Sequence, residues 1–110
     1  MDAQRFLELL DERHHALEAE VSAGAQGARP VDLDQSSVGR LSRMDALQGQ
    51  AMSVEAQRRR KLALVRLAAA RKRFEGGDWG MCLDCGEAIA EGRLEHDPAV
   101  TLCIECARRD

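Results

Sequence analysis

Aromatic side chains are almost missing from this 110-residue chain: Phe6, Phe74 and Trp79 are the only ones, and there is no tyrosine. That scarcity favours long helices over sheets and leaves single-stranded nucleic acid few rings to stack on. Proline is scarcer still, with Pro30 and Pro98 alone. No apolar run approaches the roughly 20 residues needed to cross a bilayer. The opening stretch, Met1 to Val21, is acidic and amphipathic and has no signal-peptide apolar core. A soluble, cytoplasmic protein without membrane partners is expected. Abundant Ala, Leu, Arg, Glu and Gln point to a mainly helical chain, too short to bury a large core of its own.

Cysteine, by contrast, is concentrated. Cys82 and Cys85 form one Cys-x-x-Cys knuckle and Cys103 and Cys106 another, with seventeen residues between the pairs. This is the spacing of a four-thiolate zinc site: each turn aims two sulfurs at one point, and two turns complete a tetrahedron with no open position. Gly86 follows Cys85 where a knuckle needs a residue tolerant of positive φ. Disulfides suit secreted domains, an iron–sulfur cluster less often uses paired knuckles this far apart, and a redox pair would need a βαβ context that is absent. His96 could replace one sulfur, but four cysteines already fill the shell. One structural Zn²⁺ is the reading, and a closed shell without a nucleophile–base pair argues against an enzyme.

The net charge of −3 hides a segregation. Residues 1–34 carry three basic and eight acidic groups, residues 35–75 ten basic and three acidic, and residues 76–110 three basic and eight acidic. Acidic flanks on a basic centre oppose non-specific duplex binding, because they repel phosphate within about a Debye length.

Asp2 is placed to cap a first helix whose Phe6, Leu9, Leu10, Leu17 and Val21 recur at three- and four-residue steps, fraying near Ser22 before Gly24, Gly27 and Pro30. Asp32 or Asp34 opens a second, much longer helix that Gly76-Gly77 stops. A heptad frame through Leu41, Met44, Gln48, Ala51, Glu55, Arg58, Leu62, Val65, Ala69 and Lys72 predicts its seam. Folding helix 1 back on that frame pairs Val21 with Val38, Leu17 with Leu41, Leu10 with Gln48 and Phe6 with Ala51. The remaining apolar residues of helix 2 must then be covered by the finger, through Trp79, Met81, Ile89, Leu94, Leu102 and Ile104. The expected fold is mainly α: an antiparallel helical hairpin, or coiled-coil arm, over 1–76 with a tip loop at about 22–35, and a small four-cysteine, zinc-ribbon-like C-terminal finger over 77–110. A basic collar, Arg58 to Lys61, is expected at their junction.

Trp79-Gly80-Met81-Cys82-Leu83-Asp84-Cys85-Gly86 with Ala88-Ile89, Arg93-Leu94-Glu95, Pro98 and Leu102-Cys103-Ile104-Glu105-Cys106 resembles the zinc finger of the DksA/TraR family. The resemblance implies a regulator of bacterial RNA polymerase whose arm enters the secondary channel and alters initiation without recognising a DNA sequence. It implies polymerase contacts at Arg59, Arg66 and Arg93. Where the family tip carries Asp-x-x-Asp-x-Ala, this chain has Asp32-Leu33-Asp34-Gln35-Ser36, so Asp32 and Asp34 stand for the acidic pair with altered spacing. Two positions that are basic in members responding to the alarmone ppGpp resemble Asp97 and Ala107 here, which implies a weak or absent response. Two other classes compete: a nucleic-acid-binding zinc module using Arg58, Arg59, Arg60, Lys61, Arg71, Lys72 and Arg73, and a structural adaptor that dimerises through helix 2.

Overall fold

The computed structural model describes residues 1–28 and 40–109, without the side chains of Arg40 and Leu41. The acidic pair Asp32 and Asp34, most of the predicted tip loop and the start of helix 2 lie outside the described residues. Among the described residues four helices follow in order: α1 (Ala3–Gly24), α2 (Arg40–Glu75), α3 (Glu91–His96) and α4 (Ile104–Arg109). They form an elongated body of 61 × 30 × 20 Å.

Helix α1 starts where its sequence provides a cap: the Asp2 carboxylate accepts the Arg5 N–H at 2.7 Å, pairing one of the four donors that a helix start leaves unmade. Helix α2 ends on Gly77, whose φ of +83° suits glycine alone among common residues. Around it Asp78 N–H donates to Arg73 O at 2.7 Å and Gly77 N–H to Phe74 O at 3.1 Å. This is the paired bonding of a Schellman stop, and it turns the chain back toward the finger.

The three aromatic rings meet at this turn. Phe6 stacks on Trp79 with centroids 4.6 Å apart and on Phe74 at 5.7 Å, and Phe74 and Trp79 are 5.9 Å apart. Phe6 and Leu10 of α1, Leu67 and Ala70 of α2, and Cys82, Ile89, Leu94, Ala99 and Cys106 of the finger form one buried cluster. The base of the hairpin and the finger therefore share a core, which neither is large enough to build alone.

The hairpin is antiparallel, but the pairing differs from the predicted one. Phe6 meets Phe74, not Ala51; Asp11 pairs with Arg71; Val21 O accepts from Gln57 Nε2 at 2.8 Å, so Val21 lies by Gln57, not Val38. Leu17 and Leu10 likewise border Leu67 instead of Leu41 and Gln48. Helix α1 thus lies on the C-terminal half of α2. The reason is in the seam: Gln50, Ser53, Gln57 and Arg60 fall at helical steps in line with Leu67, Arg71 and Phe74. Gln50 Nε2 reaches Ala28 O at 3.3 Å, Ser53 borders Gly27, and Gln57 is buried, accepting from Arg60 Nη1 at 3.3 Å. Carbonyl groups at the end of α1 need donors, and Gln50 and Gln57 provide them. The basic collar accordingly sits beside the end of α1, away from the finger junction.

The predicted cover of α2 is corrected too. Ile89 and Leu94 are buried and Trp79 and Leu102 half-buried against the core, but Met81 and Ile104 are exposed, as are Leu62 and Val65. Ile104 instead lines an open groove of about 810 Å³ with Ala88, Ala90 and Arg93.

Charged contacts then fix the finger on the hairpin. Arg5 forms a two-pronged pair with Glu95, Nε to Oε1 at 3.2 Å and Nη2 to Oε2 at 2.9 Å, and Arg13 Nη2 donates to His96 O at 2.8 Å. The hydrogen bond from Arg5 holds the Glu95 carboxyl below its usual value of 4.5, so its contribution is present above that pH and lost as pH falls through the lowered value. Both groups are partly exposed, so the effect is small. Urea midpoints of wild type and Glu95→Gln should differ at pH 7, and the difference should shrink as pH falls below the usual carboxylate range. Curves that stay parallel would remove the pair from the account.

Candidate metal centre

The four predicted ligands come together. The sulfurs of Cys82, Cys85, Cys103 and Cys106 all lie within 4.8 Å of one another, and those of Cys85 and Cys103 are 3.7 Å apart. A tetrahedron with zinc–sulfur bonds of about 2.3 Å places its sulfurs about 3.8 Å apart, so the cluster has the dimensions of one zinc shell. His96 is not part of it.

The first knuckle is a backbone construction. Met81 bridges antiparallel to Ala88, Cys82 N–H donates to Glu87 O at 2.8 Å and Gly86 N–H to Cys82 O at 3.0 Å. Gly86, at φ +78°, makes the reversal, as its place after Cys85 predicts. The second knuckle begins at the N-terminal end of α4: Ala107 N–H closes on Cys103 O at 3.0 Å, and Cys106 N–H points at the Cys103 sulfur at 3.5 Å. Leu83 N–H donates to Thr101 O at 2.8 Å, which ties the first knuckle to the approach to the second, and Arg93 Nε donates to Leu102 O at 2.9 Å, which ties α3 to it.

The surroundings prepare the sulfurs unequally. Backbone N–H groups of Cys85 and Cys103 pull the Cys82 thiol down to about 6, whereas burial pushes the Cys106 thiol far up. Four adjacent thiolates cannot coexist without a cation, so metal binding must displace protons. Cys82 and Cys106 are buried, Cys103 is half-buried and Cys85 is exposed, and Cys85, Cys103 and Cys106 border the groove that Ile104 lines. The donor set fits a closed, structural zinc.

Residues 75–110 match the family of prokaryotic DksA/TraR C4-type zinc fingers. The finger is a DksA-like zinc finger. A curated relative, the RNA polymerase-binding transcription factor DksA of Haemophilus influenzae, is 43% identical over 49 residues. That alignment covers 44% of this chain and 33% of the relative, so the chain matches about a third of that protein's length. The structure of transcription factor DksA2 from Pseudomonas aeruginosa superposes with a TM-score of 0.78 at 26% identity, over 97% of this chain and 81% of that one. The DksA-like arrangement thus extends beyond the finger to the helical hairpin.

The other predicted positions are dispersed. Arg59 is exposed on α2 and bonds Glu55 at 3.1 Å; Arg66, nearer the finger, bonds Asp97 at 3.3 Å. Arg93 is half-buried in the finger, its Nε engaged by Leu102 O. Sequence reasoning missed the two-pronged Arg5–Glu95 pair and buried Gln57. A signal for Gln57 existed: Gln50, Ser53, Gln57 and Arg60 repeat at helical steps, but a search for apolar residues passes over them.

Proposed function

We propose that this chain is a DksA-like regulator of bacterial RNA polymerase. It would act from the cytoplasm through the secondary channel and modulate initiation without catalysis or sequence-specific DNA binding. The chain divides into an arm, residues 1–76, and a finger, residues 77–110. The observation that carries the reading is the shared core: zinc fixes the finger, the finger grips the hairpin base, and α2 continues past the paired end of α1 as an arm. The likeness to DksA2 across hairpin and finger supports it.

In this reading Asp32 and Asp34 form the tip, where two carboxylates meet cationic groups or a Mg²⁺ near the polymerase active site. Arg59, Arg66 and Arg93 contact the polymerase around the arm and finger. Asp97, bonded to Arg66, supports the weak or absent ppGpp response, because it adds negative charge where a polyphosphate would need cations.

The test pairs wild type with an Asp32→Asn, Asp34→Asn double variant, in binding to core enzyme and in transcription initiation with and without ppGpp. Expected are binding by both proteins, an effect on initiation from wild type alone, and no added effect of ppGpp. Absence of wild-type binding to the core enzyme would refute the reading.

A further inference from the structure

Every large apolar side chain that the described residues expose lies on α2 or on the finger, and none lies on α1. On α2 they are Met44, Leu47, Met52, Val54, Leu62 and Val65; on the finger they are Met81, Leu83 and Ile104. The two surfaces differ in charge. Residues 35–75 carry ten basic and three acidic groups, and residues 76–110 three basic and eight acidic. About the middle of α2 the exposed Arg58, Arg59 and Lys61 flank the apolar residues. Glu55, shared by Arg58 at 2.8 Å and Arg59 at 3.1 Å, still leaves this cluster net positive.

On the finger, the groove of about 810 Å³ between the first knuckle, α3 and α4 is lined by Ala88, Ala90 and Ile104 and by Glu87, Glu105 and Cys85. Exposed Asp84, next to Cys85, adds to its acidic side. Arg93, His96 and Arg109 line it as well, but Arg93 Nε is taken by Leu102 O, and four thiolates around a bound zinc contribute a net charge of about −2. Like charges therefore oppose packing α2 on α2 or finger on finger. Packing α2 on the finger sets apolar surface on apolar surface and Arg58 and Arg59 against Glu87 and Glu105. Met52, at 74% the most exposed of these apolar side chains, has the unbranched, adaptable shape that fills such a groove.

We infer that the acidic finger of one copy of this chain docks on the basic, apolar stretch of α2 around Met52 in a second copy, and that the contact is made twice about a two-fold axis. The finger sits at one end of α2, and Met52 lies about 35 Å along the helix from that end. Two antiparallel copies therefore bring each finger to the other's arm, and a closed pair covers both surfaces of both copies. With each contact roughly 30 Å by 10 Å, the four faces bury about 1,200 Å², the low end for a specific interface, so the pair forms and separates with concentration. The inference is independent of the polymerase reading.

The experiment is sedimentation equilibrium of the zinc-loaded full chain over a wide range of protein concentration, at about 50 mM and about 500 mM salt. Four proteins are compared: wild type, Arg58→Glu/Arg59→Glu, Glu87→Arg/Glu105→Arg, and the quadruple variant that combines them. The altered side chains are exposed, and zinc content and circular dichroism like those of wild type establish that each variant is folded. Wild type should approach twice the monomer mass as concentration rises, with an association at least about 10-fold weaker in high salt. Each charge-reversed pair should weaken association at least about 10-fold, and the quadruple variant, whose arm and finger have exchanged sign, should return to within about 3-fold of wild type. Monomer mass for wild type at every concentration would overturn the inference. So would a dimer that either reversed pair retains, or a quadruple variant as weak as the pairs. A dimer that Arg58→Glu/Arg59→Glu strengthens would assign the contact to α2 on α2 and overturn it too.

Discussion

Stripping zinc with a strong chelator is expected to unfold the finger and loosen the base of the hairpin while much of α2 stays helical. The finger has too little else to hold it. Among its described residues there is one isolated bridge, two six-residue helices and a share of a core that includes two of the metal ligands, Cys82 and Cys106. Structural zinc in small domains contributes on the order of 10 kcal/mol of apparent folding free energy, more than this core could replace. Because the core is shared, loss of the finger uncovers Phe6, Leu10 and Leu67 and frees Trp79 from its stack. Tryptophan emission, which reports Trp79 alone, should shift to the red as metal leaves, with a partial loss of helical circular dichroism. Acid should favour the same transition, since protons compete with the metal for all four thiolates. Metal demonstrably removed with both signals unchanged would contradict the structural role.

Phe6→Ala is expected to be the most damaging single substitution outside the zinc shell. Phe6 is 2% exposed and contacts both other rings of the protein, one from the end of α2 and one from the start of the finger. Truncating such a side chain removes its burial and leaves a cavity, typically about 3–5 kcal/mol together. In a small domain that is a large part of the total stability. Leu62→Ala is the comparison: at 48% exposure it should change stability by less than about 0.5 kcal/mol. Urea unfolding of the zinc-loaded proteins measures both. Equal midpoints for the two variants would mean that the aromatic junction does not hold the finger to the arm.

The zinc shell was legible in the sequence because its chemistry is local: two Cys-x-x-Cys turns and Gly86 prescribe their own geometry. So were the helix signals at Asp2 and Gly76-Gly77, where one or two residues satisfy or end a run of backbone bonds. The helix pairing was not. Apolar periodicity in α2 is strongest along Met44, Ala51, Leu62 and Val65, which no element among the described residues covers, whereas the true seam about its middle consists of Gln50, Ser53, Gln57 and Arg60. Gln50 and Gln57 bond carbonyls at and just beyond the end of α1, and Arg60 holds Gln57 in place, a need that arises only once α1 has been placed. The aromatic junction was hidden for a similar reason. Phe6, Phe74 and Trp79 are few and far apart in sequence, and the Schellman turn at Gly77 is what brings two of them onto the third. Met81 and Ile104, apolar and next to ligands, look like core residues but flank knuckles whose inner space the sulfurs occupy.

The shared core requires α1 to lie along the C-terminal half of α2, which leaves the other half of α2 as the arm. Proton nuclear Overhauser contacts of the single Trp79 indole and the Phe6 ring in the zinc-loaded protein test this placement most directly. Contacts of Phe6 with Trp79 and Phe74, and of Leu10 with Leu67, are predicted. Contacts of Phe6 with Ala51 and of Leu10 with Gln48 would contradict the account and restore the pairing that apolar periodicity suggests.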